Sequence, residues 1–199
     1  YRNDVFLSCK TKQRDAVSAQ AELEESLKLL RTDHFDLYQL HSMATEEDLE
    51  VATGPGGALE VLVKAREQGL VRHLGFSAHS AEVAVELMNR FDFDSVLFPV
   101  NFTTWFESGF GPQIMAEAEK RGVARLALKG AAHHALEDSD NRVREKCWYA
   151  PIEDQDLMNM ALRWTLSQPI TASIPPGDPE LWQRAVKIAQ DFTPITAGE

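Results

Sequence analysis

Cysteine is scarce: Cys9 and Cys147 are the two in 199 residues. One sits in an apolar run and the other in a polar stretch, which excludes a disulfide framework and fits a reducing compartment. Long hydrophobic runs are missing as well. None approaches the ~20 residues of a membrane span, so a membrane is not an expected partner. Basic clusters are missing too, against a net charge of −11, which argues against nucleic acid as a partner. A signal peptide is not visible, since the chain opens abruptly on "YRNDVFLSC" and lacks an initiator Met. A cytoplasmic location is the expectation. Glycine is absent where it would matter for a doubly wound dinucleotide fold. The first apolar run is followed by "KTKQRD" rather than by a Gly-rich turn.

What is present is an alternation. Short β-like runs occur at 5–9, 35–40, 72–77, 95–100, 123–128 and 170–174, and hairpin signals between them are lacking. Helical patterns fall between and after them, near 15–31, 57–69, 80–90, 111–121, 155–167 and 178–191. In the first of these, Leu23, Leu27 and Leu30 recur at helical spacing and predict one buried face. Gly69 and Gly122 stand where two helices should close, and Pro169 follows a third. Six βα units in a row predict parallel strands joined by helical crossovers, an α/β fold.

The strand ends discriminate between the two architectures that fit. They read Lys10, His41, Ser77, Asn101, Lys129 and Pro175, nearly all polar or special. Such residues at C-terminal strand ends favour a (β/α)8 barrel of the TIM type, where that end carries the chemistry. A complete barrel has eight strands and ~250 residues. The expectation is therefore a single partial barrel domain over 1–199, with two βα units upstream of Tyr1. The long stretch 130–153 follows a strand and is expected on the catalytic face.

Alternation along a strand puts Lys10 on one face with Phe6 and Ser8, and Val5, Leu7 and Cys9 on the other, against helices. His41 shares a face with Leu37 and Gln39, opposite Tyr38. Neighbouring strands lie ~4.8 Å apart, so the amine and the imidazole can converge on one carbonyl-sized volume. The lysine could serve as a Schiff-base nucleophile, or its charge could lower the pKa of a neighbouring tyrosine. Cys9 reads as a packed thiol. His133 and His134 are adjacent, so their rings are expected to splay apart, and no partner has metal-site spacing. No metal is expected.

The segments "DVFLSCKTK", "LEESLKLLRTDHFDLYQLH" and "GALEVLVKAREQGLVRHLGFSAH" resemble the aldo/keto reductase family in order and spacing. The similarity continues through "FDFDSVLFPVNF", "EKRGVARLALKGAA", "ALRWTLSQPITASIPPG" and "AQDFTP", from the family's third strand to its eighth helix. The resemblance implies a (β/α)8 barrel that reduces aldehydes or ketones to alcohols, or the reverse, by hydride transfer from NADPH or NADH without metal. It implies a tetrad of Asp, Tyr, Lys and His, of which Lys10 and His41 are two. Lys10 would depress the tyrosine pKa, and His41 would orient the substrate carbonyl. The Tyr and Asp belong to the unit before the family's third strand, so this chain alone is expected to be inactive. Tyr38 faces the wrong way, Tyr1 lies at the wrong end of its strand, and Tyr149 sits in the 130–153 stretch.

The resemblance also implies cofactor contacts at Ser77, Asn101, Leu128, Lys129, Pro176 and Gly177. Departures accompany them. Ala78 replaces an asparagine, and no glutamine occurs in 94–105. Pro176, Trp182 and Val186 stand where NADPH-specific members commonly carry Lys, Arg and Asn, with Arg184 the nearest charged candidate. The preference between NADPH and NADH is left open. The expected partner is a small carbonyl or alcohol, with sugar-like polyols suggested by Trp148 and Tyr149. Two alternatives remain at this point: a Schiff-base barrel enzyme using Lys10, and a degenerate barrel that binds nucleotide without catalysis.

Overall fold

The computed structural model describes residues 2–137, 144–196 and 198. After a 3-10 turn at Arg2–Asp4, the elements in chain order are β1 (Ser8–Thr11), α1 (Ala16–Leu30), β2 (Phe35–Met43), α2 (Glu46–Thr53), α3 (Ala58–Glu67), β3 (Val71–Ala78), α4 (Ala81–Arg90) and β4 (Ser95–Pro99). They continue as α5 (Phe102–Phe106), α6 (Pro112–Arg121), β5 (Ala124–Leu128), β6 (Ala132–His134), β7 (Ala150–Pro151), α7 (Gln155–Leu166), β8 (Ala172–Ser173) and α8 (Pro179–Gln190). Every anticipated strand and helix has a counterpart. The chain divides into two compact units, Tyr1–Leu97 with Gln113–Ala124, and Phe98–Pro112 with Arg125–Glu199.

In the first unit β1 pairs with β2, β2 with β3 and β3 with β4, all parallel. Side chains directly across a parallel ladder point to the same face. One row therefore reads Lys10, Gln39, Gly75, Ser95, and the next reads Thr11, Leu40, Phe76, Val96 on the opposite face. That opposite face is the core: Tyr38, Leu40, Leu74 and Phe76 are fully buried, with Leu62, Leu87 and Met88 from the helices. Each such Leu, Phe or Met side chain stabilises the fold by ~1.5–3 kcal/mol.

Three expectations need correction here. The first strand runs over 8–11, so Lys10 lies inside it. The Leu7 N–H is taken by a carboxylate oxygen of Asp36 at 2.8 Å, and ladder pairing starts only at Ser8. Consequently Val5 does not pack on helices but is exposed, as is Phe6. Leu30 is exposed too. The buried stripe of α1 is Ala19 and Leu23, because the helix closes at Arg31 in a left-handed turn (φ 51°) whose N–H bonds the Leu27 and Lys28 carbonyls. Finally, α2 was not anticipated. It begins in a capping box, with Thr45 accepting from the Asp48 N–H and Asp48 accepting from the Thr45 N–H.

Gly75 is required by the polar row. A Cβ there would lie 2.3 Å from the Ser95 hydroxyl oxygen and 2.8 Å from the Ser95 carbonyl oxygen. The second contact is backbone and cannot swing away. Gly75→Ala is expected to destabilise by ~1–3 kcal/mol, read as a lower urea midpoint with an unchanged slope.

The second unit holds β5 paired in parallel with β8, Leu126 opposite Ala172. Its core joins α7 and α8 through Met158, Ala161, Leu162, Leu181, Ala185 and Ile188, with Cys147 and Ile152 beneath. Within the 130–153 stretch, β6 and β7 form an antiparallel pair. Its strands are sixteen residues apart, counted from His134 to Ala150, so no tight-turn signal marks them in the sequence. Residues 138–143 of that stretch, like Tyr1, lie outside the described residues. Among the described residues no helix is long and apolar enough to cross a membrane.

Candidate active site

In the first unit His41 follows Gln39, the ladder partner of Lys10, by two residues, and the Lys10 charge acts on its ring. Both side chains are partly buried. Burial holds the Lys10 amine below its ordinary pKa. Burial is also the main cause that pushes His41 down to about 4, followed by the charge of Lys10 and then those of Lys12, His79 and Arg14. The imidazole is therefore neutral at pH 7, with one ring nitrogen a donor and the other an acceptor. Among the described residues, neither the Lys10 amine nor the His41 ring has a hydrogen-bond or ion-pair partner.

Some groups around them are committed, whereas the buried Ser95 hydroxyl, in the Lys10 row, has no hydrogen-bond partner among the described residues. Gln39 is buried and its amide donates to the Phe76 carbonyl at 3.4 Å. Ser77 is buried on the same face, and its hydroxyl oxygen accepts from the Ser42 N–H at 2.7 Å. Its own proton stays available to an acceptor. Ser42 has a left-handed backbone (φ 60°), a strained state for a residue other than glycine. The β2–β3 register shifts between Leu40 and Met43, which releases His41 and Ser42 from the ladder. Arg14 takes over, donating to the His41 carbonyl at 2.9 Å and to Asp48 at 2.7 Å. Neither Gln39, Arg14 nor Asp48 was singled out in the sequence, although the alternation that picks His41 also picks Gln39.

Tyr38 lies on the opposite face, fully buried beside Phe35, and desolvation raises its phenol pKa. It is no substitute for the tyrosine of a reductase tetrad. Cys9, on the Tyr38 face, is a free and partly buried thiol.

In the second unit, Asn101 is buried and spoken for at both ends of its amide. The oxygen caps α5 through the Thr104 N–H at 2.9 Å, and the nitrogen donates to the Lys129 carbonyl at 3.3 Å. That bond holds Lys129, which sits just after β5 in a left-handed conformation (φ 62°). Burial lowers the Lys129 amine pKa, and the amine has no partner among the described residues. Leu128 precedes it, partly buried. Pro176 is buried and Gly177 exposed, and a Cβ on Gly177 would meet the Lys146 carbonyl oxygen at 2.8 Å. Tyr149 is partly buried and its phenol is pushed up to about 12 by desolvation. Trp148 is exposed.

The α8 end of this unit is acidic. Asp178 caps α8, and Arg144 bridges Glu153, Asp178 and Glu180. Arg184 is occupied by Gln155 and the Glu153 carbonyl, each at 2.8 Å. Contrary to expectation, the rings of His133 and His134 do not splay apart; their Nδ1 atoms meet at 2.8 Å. The irregular register between Ala132 and His134 breaks the strand alternation that would separate them. Among the described residues no group of three or more His, Cys, Asp or Glu could hold a metal ion.

A model of the aldo/keto reductase family matches residues 1–181. A methylglyoxal reductase, DkgA of Yersinia pestis, is 35% identical over 74 residues, which are 37% of this chain and 25% of that protein. Among solved structures, the thermostable aldo-keto reductase Tm1743 in complex with the inhibitor epalrestat gives a TM-score of 0.71 at 21% identity, covering 100% of this chain and 70% of its own. A Bombyx mori aldo-keto reductase in complex with NADP gives 0.65 at 20% identity, with 98% and 65% covered. The chain thus spans a quarter of its curated relative and about two thirds of these structures, and the structural likeness shows an α/β fold of the TIM-barrel type.

Proposed function

Since the chain belongs to the aldo/keto reductase family, we propose that its protein transfers a hydride between a nicotinamide cofactor and a small aldehyde or ketone, with His41 orienting the carbonyl and Lys10 tuning the phenol that protonates it. The observation that carries this reading is the pair itself: an amine and a neutral imidazole, partly buried and unpartnered, with the imidazole two residues beyond the ladder partner of the lysine and within reach of its charge. A half-buried ammonium without a counter-charge is costly, so Lys10 calls for a carboxylate or an anionic oxygen beside it. A reductase tetrad supplies both.

The bound nicotinamide would supply the hydride. His41 would donate one N–H to the substrate carbonyl, fixing its orientation and polarising it. A histidine held down to about 4 does this as a neutral donor throughout the physiological range. The Lys10 charge would favour the anionic form of a phenol placed next to it, which makes that phenol an effective proton donor near neutral pH. Tyr38 is not that phenol, because it faces away.

For a nicotinamide cofactor, each unit taken by itself offers a donor group. Ser77 keeps a proton to donate, and the desolvated Lys129 amine suits a polar or anionic group. The α8 end suits a second phosphate less well. Asp178, Glu153 and Glu180 crowd it, and both arginines there are committed. The methylglyoxal reductase relative supports a small carbonyl substrate, and the NADP complex supports a nicotinamide cofactor.

A second reading draws on the lowered Lys10 pKa, which also suits a Schiff-base nucleophile. One experiment separates the two. The whole protein is mixed with NADH or NADPH and short aldehydes while cofactor absorbance is followed, and a parallel sample is treated with borohydride. The reductase reading expects aldehyde-dependent cofactor oxidation and no aldehyde-derived mass on Lys10. Trapping on Lys10 without cofactor oxidation would reverse the assignment.

A further inference from the structure

We propose that Arg14 is a positioning residue for His41, fixing the strand end from which the imidazole projects; this rests on the reading of His41 as the group that orients the carbonyl. The need for such a residue follows from the backbone. The β2–β3 ladder loses register between Leu40 and Met43, so the neighbouring strand does not hold the peptide groups of His41 and Ser42 in regular pairing. Ser42 adds a left-handed turn, φ 60°, which is unfavourable for any residue with a Cβ and persists only where surroundings impose it. Three tethers impose it here.

The Ser42 N–H donates to the Ser77 hydroxyl at 2.7 Å, and the His79 N–H donates to the Met43 carbonyl at 2.9 Å. Arg14 is the third tether. Its Nη2 donates to the His41 carbonyl at 2.9 Å and reaches the Ser42 carbonyl at 3.4 Å, while Nη1 donates to the Lys12 carbonyl at 3.1 Å. Nε donates to Asp48 at 2.7 Å, and the Arg14 side chain is 18% exposed. Asp48 in turn accepts from the Ala44 and Thr45 N–H groups at the start of α2. One planar guanidinium thereby ties the segment after β1, the end of β2 and the N-terminus of α2 into one unit. A lysine, with a single point of attachment, cannot reproduce this fork.

The test compares wild type, Arg14→Met and Arg14→Lys in the whole protein, by amide hydrogen exchange, by NMR of the His41 ring and by carbonyl-reduction kinetics. In Arg14→Met the Ser42 and His79 amides are expected to exchange on the order of tenfold faster or more, with the amides of α3 unchanged. The His41 ring signals shift, and kcat falls on the order of tenfold while the cofactor Kd is unchanged. Arg14→Lys, which keeps the charge, falls between the two. Should Arg14→Met fail to fold, Arg14→Lys decides by the same readouts. Unchanged Ser42 and His79 exchange with unmoved His41 signals in a folded variant would overturn the proposal, as would loosened amides with full kcat. If wild type itself reduces no carbonyl, the reductase reading fails, and the exchange and ring-signal arms still judge Arg14.

Discussion

Replacing Lys10 by methionine should lower kcat for carbonyl reduction by about 10²–10⁴-fold, the range for removing a group that tunes proton transfer. Stability of the whole protein should fall with it. The amine is partly buried and meets no counter-charge among the described residues, so the carboxylate that a tetrad would place beside it is left unpaired in the variant. The cofactor Kd should be unaffected, since the loss belongs to the transition state. Denaturant midpoints, cofactor titration and steady-state kinetics on the same preparation check all three. The variant also carries an internal control. Lys10 is the largest charge effect on His41 after burial, so the His41 pKa should rise in Lys10→Met. A variant that keeps wild-type turnover would remove Lys10 from the mechanism.

The second large effect concerns pH. His41 should titrate near 4 by NMR, well below the ordinary imidazole value, and the rate profile should show no inflection from it near pH 6.5. The sign for stability follows from the depressed value. Above about pH 6.5 both folded and unfolded chains hold the ring neutral, so His41 contributes no slope. Between that pH and about 4 the unfolded state takes up a proton that the folded state refuses, and stability falls as pH falls. Below about 4 the slope ends. His41→Gln lacks this component, so its urea midpoint should depend less on pH across that window, while kcat is severely reduced. The ring is partly exposed and solvent screens its neighbours, which moderates the stability effect. A wild-type His41 that titrates near 6.5 would contradict the burial and charge argument together.

Much of the fold was legible because parallel strands joined by helices leave a strong signature. Runs such as "FDLYQL" carry apolar residues on both faces, and turn residues such as Gly69 and Gly122, both with positive φ, close helices where the pattern ends. The first strand was misplaced because apolarity marks Val5 and Phe6, whereas pairing begins where Asp36 stops claiming the Leu7 N–H. That is a tertiary contact 29 residues away, invisible to local periodicity. The α2 helix was missed although its capping box, Thr45 with Asp48, is a local signal and Leu49 and Ala52 give a short buried face.

At the candidate site, alternation alone put Lys10 with His41 and turned Tyr38 away; the ladder pairs Lys10 with Gln39 and Cys9 with Tyr38. The supporting groups were less legible. Arg14 looks like one of many surface arginines until its contact with a carbonyl 27 residues on is known. Asn101 reads as a free polar side chain at a strand end, yet its amide is consumed in holding Lys129 and capping α5. Residue type and spacing mark where polar groups lie; which remain free depends on partners far away in sequence.

Deuterium transfer tests the central claim most directly. The whole protein, supplied with NADH or NADPH carrying deuterium at the nicotinamide C4 of one face and then the other, is given a short aldehyde, and the alcohol is read by mass spectrometry. The account predicts deuterium on the former carbonyl carbon from one face of the cofactor, with the transfer lost in Lys10→Met and in His41→Gln. Alcohol formed without deuterium from either face, or undiminished transfer in both variants, would contradict it.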